Sequence, residues 1–361
     1  MLRAALIGLP SAGKTTLFQL MTSVKETAAR GKAEVQVGIA KVPDARLDRL
    51  TALFNPKKHV PATVEFTDIV GATAGTQSLV DVTAYRNADA LLHVVRAFRD
   101  PSVPAPHETT DPARDLQAVE DELILADLGI AERRLERLAR DLKKGRSAEL
   151  ESERDVLSLC RATLEDGKPL RTLSLASDDL KRLRGFQFLS AKPLLAVLNL
   201  DEADLSAAGG SAAAVAHLGL AGIGANAATR IVAVCAKIEL EIAQLDAADA
   251  RSFLADLGLT ESGLDRVIRA SYDLLGYISF FTVGEDENRA WSIPRGTNAL
   301  VAAGEIHSDI QRGFIRAEVV PCEALLQRGS LATCREHAEI RLEGKEYVVQ
   351  DGDVINFRHA T

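Results

Sequence analysis

Gly8-Leu9-Pro10-Ser11-Ala12-Gly13-Lys14-Thr15-Thr16 carries the spacing G-x-x-x-x-G-K-[ST], which is that of a phosphate cradle. Its glycines let the backbone curl so that successive N–H groups point inward at phosphate oxygens. A helix that starts beyond Gly13 adds its own N-terminal N–H groups and the positive end of its dipole. In such a loop Lys14 reaches the β- and γ-phosphates, and the Thr15 hydroxyl ligates Mg²⁺. Gly8, Ser11, Ala12, Gly13, Lys14, Thr15 and Thr16 are therefore candidate phosphate-binding residues, and Lys14 is also a candidate catalytic group. A second element, Asp68-Ile69-Val70-Gly71, closes an alternating run. A strand-end aspartate followed by x-x-Gly matches the Mg²⁺ side of P-loop enzymes. Most such tetrapeptides are turns; downstream of a phosphate loop this one becomes a site candidate. Asp68 would hold the metal through water, and the Gly71 N–H would sense the γ-phosphate.

These residues need elements to place them. Leu2 to Ile7 is mostly apolar and reads as a buried strand, with Leu17 to Met21 as the first helix. A polar stretch from Thr22 to Lys32 feeds a strand over Glu34 to Val42, where a nucleotide switch would close over the γ-phosphate. Pro61 to Asp68 alternates like a strand. Ala88 to Phe98, Lys192 to Asn199 and Ile231 to Val234 are apolar runs with few polar residues, as parallel strands buried on both faces require. His93 lies inside one of them and reads as a packed core histidine. The sum is an α/β, doubly wound, mainly parallel sheet with ligand loops at the strand ends.

Between the strands at His93 and Val197 the pattern is helical. Asp111 to Lys144 carries a heptad stripe at Leu128, Ala131, Leu135, Leu138 and Leu142. Gly145-Arg146-Ser147 breaks it, and Leu150, Leu157, Cys160 and Leu164 continue a second seam. That is an antiparallel coiled-coil hairpin. Arg133, Arg134, Arg137, Arg140, Lys143, Lys144 and Arg146 crowd its turn, against Glu132, Glu136 and Asp141. Either they pair with those carboxylates on a solvated face, or they form an arm that touches RNA phosphates. Ser206 to Ala228 is rich in Ala and Gly and carries no legible chemistry; helices follow around Ile238–Leu245 and Ala248–Leu257. From Tyr277 onward, short strands at 277–283, 289–293, 315–320, 339–342 and 354–357 surround a helix at 299–307. A small mixed sheet crossed by one helix suggests a ubiquitin-like β-grasp without catalytic residues. The expected domains are 1–110 with 190–276 for the nucleotide-binding part, 111–189 for the hairpin and 277–361 for the β-grasp.

Composition limits the alternatives. A chain of 361 residues has room for two or three domains. Cys160, Cys235, Cys322 and Cys334 form no C-x-x-C pair and no metal spacing, which fits buried thiols in a reducing cytosol. The first residues form a strand and a phosphate loop rather than a signal sequence, and no apolar stretch approaches membrane-spanning length. The net charge of −8 argues against coating nucleic acid everywhere and leaves room for one local basic face. DNA sequence recognition is not expected.

Together, the phosphate loop, Asp68-Ile69-Val70-Gly71, Asn199-x-x-Glu202, Cys235-Ala236-Lys237-Ile238-Glu239 and the C-terminal residues resemble the Obg-like ATPase (YchF) family. That family joins a P-loop domain, a coiled-coil insertion and a TGS domain. The resemblance covers nearly the whole chain and is most specific in Arg289-Ala290-Trp291-Ser292-Ile293, in Ala302 to Asp309 and in Gly313 to Val319. It implies ATP hydrolysis with Mg²⁺, association with the ribosome or its RNA, and a cytoplasmic location. It also assigns Asn199, Leu200, Glu202, Cys235 and Ala236 to the base side of the nucleotide site.

GTPases place N-K-x-D at the base, and the Asp accepts from guanine. Here Leu200 replaces the lysine, and Glu202 replaces the aspartate with a side chain one methylene longer. The similar N-x-x-E of the family goes with ATP. Other positions depart from the family. Lys32 stands where the family has a Mg²⁺-binding threonine, and Thr73 to Val82 is a shortened loop. Ala105 replaces the loop histidine proposed to assist hydrolysis, and His107, two residues later, is the remaining candidate for that catalytic role beside Lys14 and Gly71. Ala72 agrees in kind, being hydrophobic rather than a water-orienting glutamine. A slow ATPase switch, a nucleotide-binding interaction protein with little hydrolysis, and a GTPase all remain open at this level.

Overall fold

The apolar runs become the strands of one sheet, because a side chain on either face of a central parallel strand is removed from water. The structure is a computed structural model and describes residues 2–23, 34–70, 85–104, 109–145, 147–207, 215, 216, 218, 220 and 228–360. Contacts divide the chain into two units. One comprises Leu2–Ile39 and Glu65–Leu274; the other comprises Ala40–Val64 and the residues from Leu275 onward.

In the first unit lie β1 (Arg3–Ile7), most of β2 (Glu34–Lys41) and of β4 (Thr63–Val70), β5 (Ala90–Ala97), β6 (Leu194–Leu200) and β7 (Thr229–Val234). Their order is β2-β4-β1-β5-β6-β7, and β4, β1, β5, β6 and β7 pair parallel in turn. Every residue of β5 and β6 is buried. The loop after β1 leads into α1 (Lys14–Thr22). The doubly wound sheet, and each strand anticipated for it, is present.

The hairpin is also as expected. It consists of α3 (Pro112–Lys144) and α4 (Ala148–Glu165). Asp111 caps α3 by accepting from the Arg114 N–H, and Pro112 occupies the first turn, where a missing N–H costs nothing. Ala131, Leu138, Leu157, Cys160 and Leu164 form the buried seam. The middle of α3 is pinned to the segment before β6 by the buried Asp127 carboxylate, which accepts from the Leu189 and Ser190 N–H groups at 3.0 and 2.7 Å. A helix that the sequence did not announce, Gly263–Leu274, packs on the β7 side of the sheet.

The second unit holds β3 (Lys58–Val60), β8 (Tyr277–Thr282), β9 (Glu287–Pro294), β10 (Phe314–Pro321), β11 (Arg341–Glu343) and β12 (Asp353–His359), in the order β11-β10-β12-β8-β9-β3. The helix Ala299–Ile306 lies on Phe280, Ile293, Val319 and Phe357. This is the anticipated β-grasp, with one difference. The sequence placed residues 1–110 together, but the structure joins Ala40–Val64 to the C-terminal residues. A strand pairing and two arginine contacts explain it. β3 pairs parallel with β9. Arg46 of α2 (Ala45–Phe54) donates to Asp351 at 2.8 Å and lies over the Phe281 ring. Arg49 pairs with Glu323 at 3.1 Å.

The four cysteines are free and buried. Among the described residues no helix is long and apolar enough to cross a membrane.

Candidate functional site

The phosphate loop begins where β1 ends. Gly8 adopts φ 146, and a Cβ there would meet the Val94 carbonyl oxygen at 2.3 Å, so only glycine fits. Gly13 caps α1 at φ 97. Ser11, between them, takes a left-handed φ of 59, the kind of backbone strain that gathers at ligand loops. The Lys14 ammonium folds back over the loop and donates to the Gly8 and Leu9 carbonyls at 3.0 and 2.9 Å. Burial pushes its pKa down, and the nearby Asp68 carboxylate pushes it up. An arriving phosphate supplies the negative charge that such a lysine lacks.

Thr15 and Asp68 come together as expected: the Thr15 hydroxyl donates to Asp68 Oδ2 at 2.7 Å. Asp68 is fully buried, and its other oxygen, Oδ1, has no hydrogen-bond partner among the described residues. Burial raises its pKa, while the Thr15 bond and Lys14 lower it. A buried carboxylate oxygen without a donor, beside a threonine hydroxyl, is a fitting donor set for a divalent cation. Among the described residues no group of three or more His, Cys, Asp or Glu side chains could hold a metal. Any cation here would therefore share Thr15, Asp68, water and the phosphates, which is how Mg²⁺ is usually held.

A cleft of about 480 Å³ opens beside the loop, lined by Ser11, Gly13 and Thr16 on the phosphate side. Asn199, Leu200, Asp201, Glu202, Cys235 and Ala236 line it from the ends of β6 and β7. The sequence-derived base residues thus converge. Their roles separate on inspection. The Asn199 amide donates to the Ala12 carbonyl at 3.1 Å, and its oxygen accepts from the Ala236 N–H at 3.0 Å. Asn199 therefore fastens the phosphate loop to the loop after β7. Leu200 is buried, Glu202 is exposed and begins the helix Glu202–Ala207, and Asp201 accepts from the Arg99 N–H at 2.9 Å. Burial raises the Cys235 thiol pKa. Glu239, in the same motif, is turned away from the cleft: its Oε1 accepts from the Gly263 N–H at 2.7 Å and caps the helix there.

Sequence reasoning missed Phe98, Arg99, Asp100, Val103, Lys237 and Leu240, which complete the lining. Position alone could have found the first four, since ligands of open α/β sheets bind outside the carboxyl ends of the strands. Gly71, His107, Lys32, Ala72 and Ala105 lie outside the described residues.

On the hairpin the basic cluster splits. Arg134 is not part of a free face, because it makes two hydrogen bonds of 2.7 Å to Glu153 across the seam. Arg133, Arg137, Arg140 and Lys144 are exposed at spacings of four, three and four along α3, so they share one stripe. Within that stripe the described residues give one ion pair, a 3.6 Å contact from Lys144 to Asp141. Arg146 lies outside the described residues.

Residues 3–133 match the family MMR_HSR1, described as 50S ribosome-binding GTPase. Residues 277–360 match YchF-GTPase_C, described as a protein of unknown function (DUF933). The chain is 42% identical over 365 residues to the "Ribosome-binding ATPase YchF" of Bacillus subtilis, covering 99% of each. It is 36% identical over 364 residues to the protein of the same name from Escherichia coli O157:H7, covering 98% of each. The solved Schizosaccharomyces pombe YchF GTPase superposes with a TM-score of 0.82 at 26% identity, over 99% of this chain and 97% of that one.

Proposed function

The chain belongs to the YchF family, and from that premise we propose that it is a Mg²⁺-dependent ATPase that works as a slow, ribosome-associated switch in the cytoplasm. Relatives are titled both ATPase and GTPase. The observation that favours adenine is the base loop. Leu200 is buried where a GTPase lysine would lie along the base, and exposed Glu202 occupies the place of the guanine-reading aspartate. Asp201, one position earlier, is engaged by the Arg99 N–H and does not stand in for it.

The loop N–H groups and the α1 terminus bind the triphosphate, and Lys14 bridges its β- and γ-oxygens. Thr15 and Asp68 would hold Mg²⁺, whose chemistry is to neutralise charge on the transferred group. Turnover is slow because Lys32 stands where the family places a metal-binding threonine and Ala72 offers no group to orient water. Such losses lower kcat more than binding. The test is a titration with ATP, ADP, GTP and GDP, with and without Mg²⁺, followed by single-turnover hydrolysis. GTP binding as tight as ATP binding would overturn the adenine reading, and a turnover near the enzyme median of about 10 s⁻¹ would overturn the slow one.

The relatives are named ribosome-binding. The α3 stripe of Arg133, Arg137, Arg140 and Lys144 is suited to RNA phosphates on a chain whose net charge is −8. Neutralising all four weakens co-sedimentation with ribosomes and flattens its salt dependence. Identical pelleting by wild type and variant across the salt series overturns the assignment of that stripe.

A further inference from the structure

Arg96 is a buried arginine next to the carboxyl end of β5. It lies in β5 opposite Asn199 of β6 and is 6% exposed. Among the described residues no carboxylate comes within ion-pair distance of it, which is unusual for a buried cation. Its guanidinium is instead wrapped by main-chain carbonyls. Nε donates to Phe98 at 3.4 Å, Nη1 to Pro104 at 3.0 Å, and Nη2 to Asp100 and Val103 at 3.2 and 3.1 Å. The guanidinium carbon also sits 4.4 Å from the centre of the Phe98 ring. A planar fork with several fixed donors can satisfy so many carbonyls at once; an ammonium is a single point.

The loop that follows β5 has no buried apolar side chain between Phe98 and Pro104. It takes its shape from that cation. With its carbonyls drawn in toward Arg96, the loop presents Phe98, Arg99, Asp100 and Val103 to the base cleft. A second fastening comes from the opposite wall, where Asp201 accepts from the Arg99 N–H at 2.9 Å. Within the loop, Ser102 donates to Asp100 Oδ1 through both its N–H and its hydroxyl. The phosphate loop is held separately, through Asn199.

We infer that Arg96 and Asp201 are positioning residues that hold the loop Phe98–Pro104 as the wall against which the nucleoside rests. The inference rests on the adenine-nucleotide reading of the cleft and goes beyond it, since neither residue is asked to touch phosphate or metal.

The test compares Mg²⁺-ATP with Mg²⁺-tripolyphosphate, which has the phosphates and no nucleoside, on the full chain. Losing hydrogen bonds to a buried charge should weaken ATP binding about tenfold in Arg96→Met. Arg96→Lys, which keeps the charge but not the fork, falls between wild type and Arg96→Met. In Asp201→Ala the loss is about threefold, for one hydrogen bond at the rim. Tripolyphosphate affinity stays within about twofold of wild type in all three, because its contacts are elsewhere. At the level of turnover, KM for ATP rises while kcat is kept. Should Arg96→Met fail to fold, Asp201→Ala carries the same test. Unchanged ATP affinity in the variants, or ATP and tripolyphosphate weakening in parallel, overturns the inference. A wild-type chain that binds tripolyphosphate as tightly as ATP overturns the reading of the cleft itself, and the positioning role falls with it; that outcome needs no variant and so is told apart from the others.

Discussion

One run of residues, Gly8 to Thr16, makes the phosphate side of the cleft, and among the described residues the distant Asp68 joins it. The base side has no such run. It draws Phe98, Arg99, Asp100 and Val103 from beyond β5, Asn199 to Glu202 from the end of β6, and Cys235 to Leu240 from the end of β7. On the proposed reading the first side recognises mainly with main-chain N–H groups, which every residue but proline possesses, joined by the Lys14 and Thr15 side chains, so most of its sequence needs only permit a shape: glycine at Gly8 because Val94 O is 2.3 Å from where a Cβ would be, glycine at Gly13 because its φ is 97 and the Asn199 amide nitrogen is 2.5 Å from where a Cβ would be. The second side recognises with side chains, and those must be fastened one by one by Asn199, Arg96 and Asp201. A contact that any backbone can make is specified by spacing; one that depends on fastened loops is specified by partners far apart in the chain.

The sharpest way to separate the two sides is Lys14→Ala. It removes a charge-assisted contact to phosphate and costs about 1.5–3 kcal/mol of binding. ATP and tripolyphosphate should lose affinity by the same factor, because the lost contact is common to both. Isothermal titration of each ligand checks this. Unchanged ATP affinity would remove Lys14 from the site, and a loss confined to ATP would mean that the two sides are not separable.

Acid should act on the phosphate side through His93. This ring lies under the loop, with its Cδ2 3.4 Å from where a Cβ on Gly8 would be, and its buried Nε2 has no partner among the described residues. Burial pushes its pKa down to about 3, helped by the charges of Lys14 and Arg171. The folded value therefore lies below the unfolded one of about 6.5. The neutral ring's contribution is complete above the unfolded pKa and is lost as pH falls from there toward 3, at up to about 1.4 kcal/mol per pH unit. By pH 5 that amounts to about 2 kcal/mol. His93→Leu cannot take up the proton, so its stability should fall less steeply between pH 6.5 and 4. Denaturant unfolding at several pH values measures both slopes, and equal slopes would show that His93 is not what makes the fold acid-sensitive. Among the described residues no histidine lines the base side of the cleft.

The same contrast governs what could be read in advance. The phosphate loop, the strands around it and the hairpin all follow from local pattern: a fixed motif, unbroken apolar runs, and a heptad stripe with Asp111 before it and Gly145 after it. The partner of Arg134 was not legible, because the pattern of one helix cannot show that Glu153 of the next stands opposite. The join of Ala40–Val64 to the C-terminal unit rests on a three-residue strand with no period to detect and on pairs such as Arg46 with Asp351, which lie 305 residues apart. Arg96 left no sign of its task, since a single charged residue in an apolar run says nothing about which carbonyls surround it. Glu239 looked like part of the nucleotide motif and proved to cap a helix that the sequence had not revealed.

The smallest expected effect is the one that tests the base side by chemistry rather than by architecture. Glu202 is exposed at the first turn of its helix and lines the cleft, so its substitution disturbs no packing. Glu202→Asp withdraws the carboxylate by one methylene and restores the side chain that guanine-specific loops carry. Leu200 stays in place of the lysine, and Asp201 stays engaged with Arg99, so one of several differences is reversed. The ratio of ATP to GTP affinity should therefore shift toward GTP by a few-fold, which is less than about 1.4 kcal/mol. Tripolyphosphate affinity should not move, since no phosphate contact has changed. Competition of ATP, GTP and tripolyphosphate for wild type and variant gives all three numbers. If the ratio is unmoved, discrimination between the bases belongs to the Phe98–Val103 wall and not to the loop after β6, and the base side would depend on Arg96 for specificity as well as for shape.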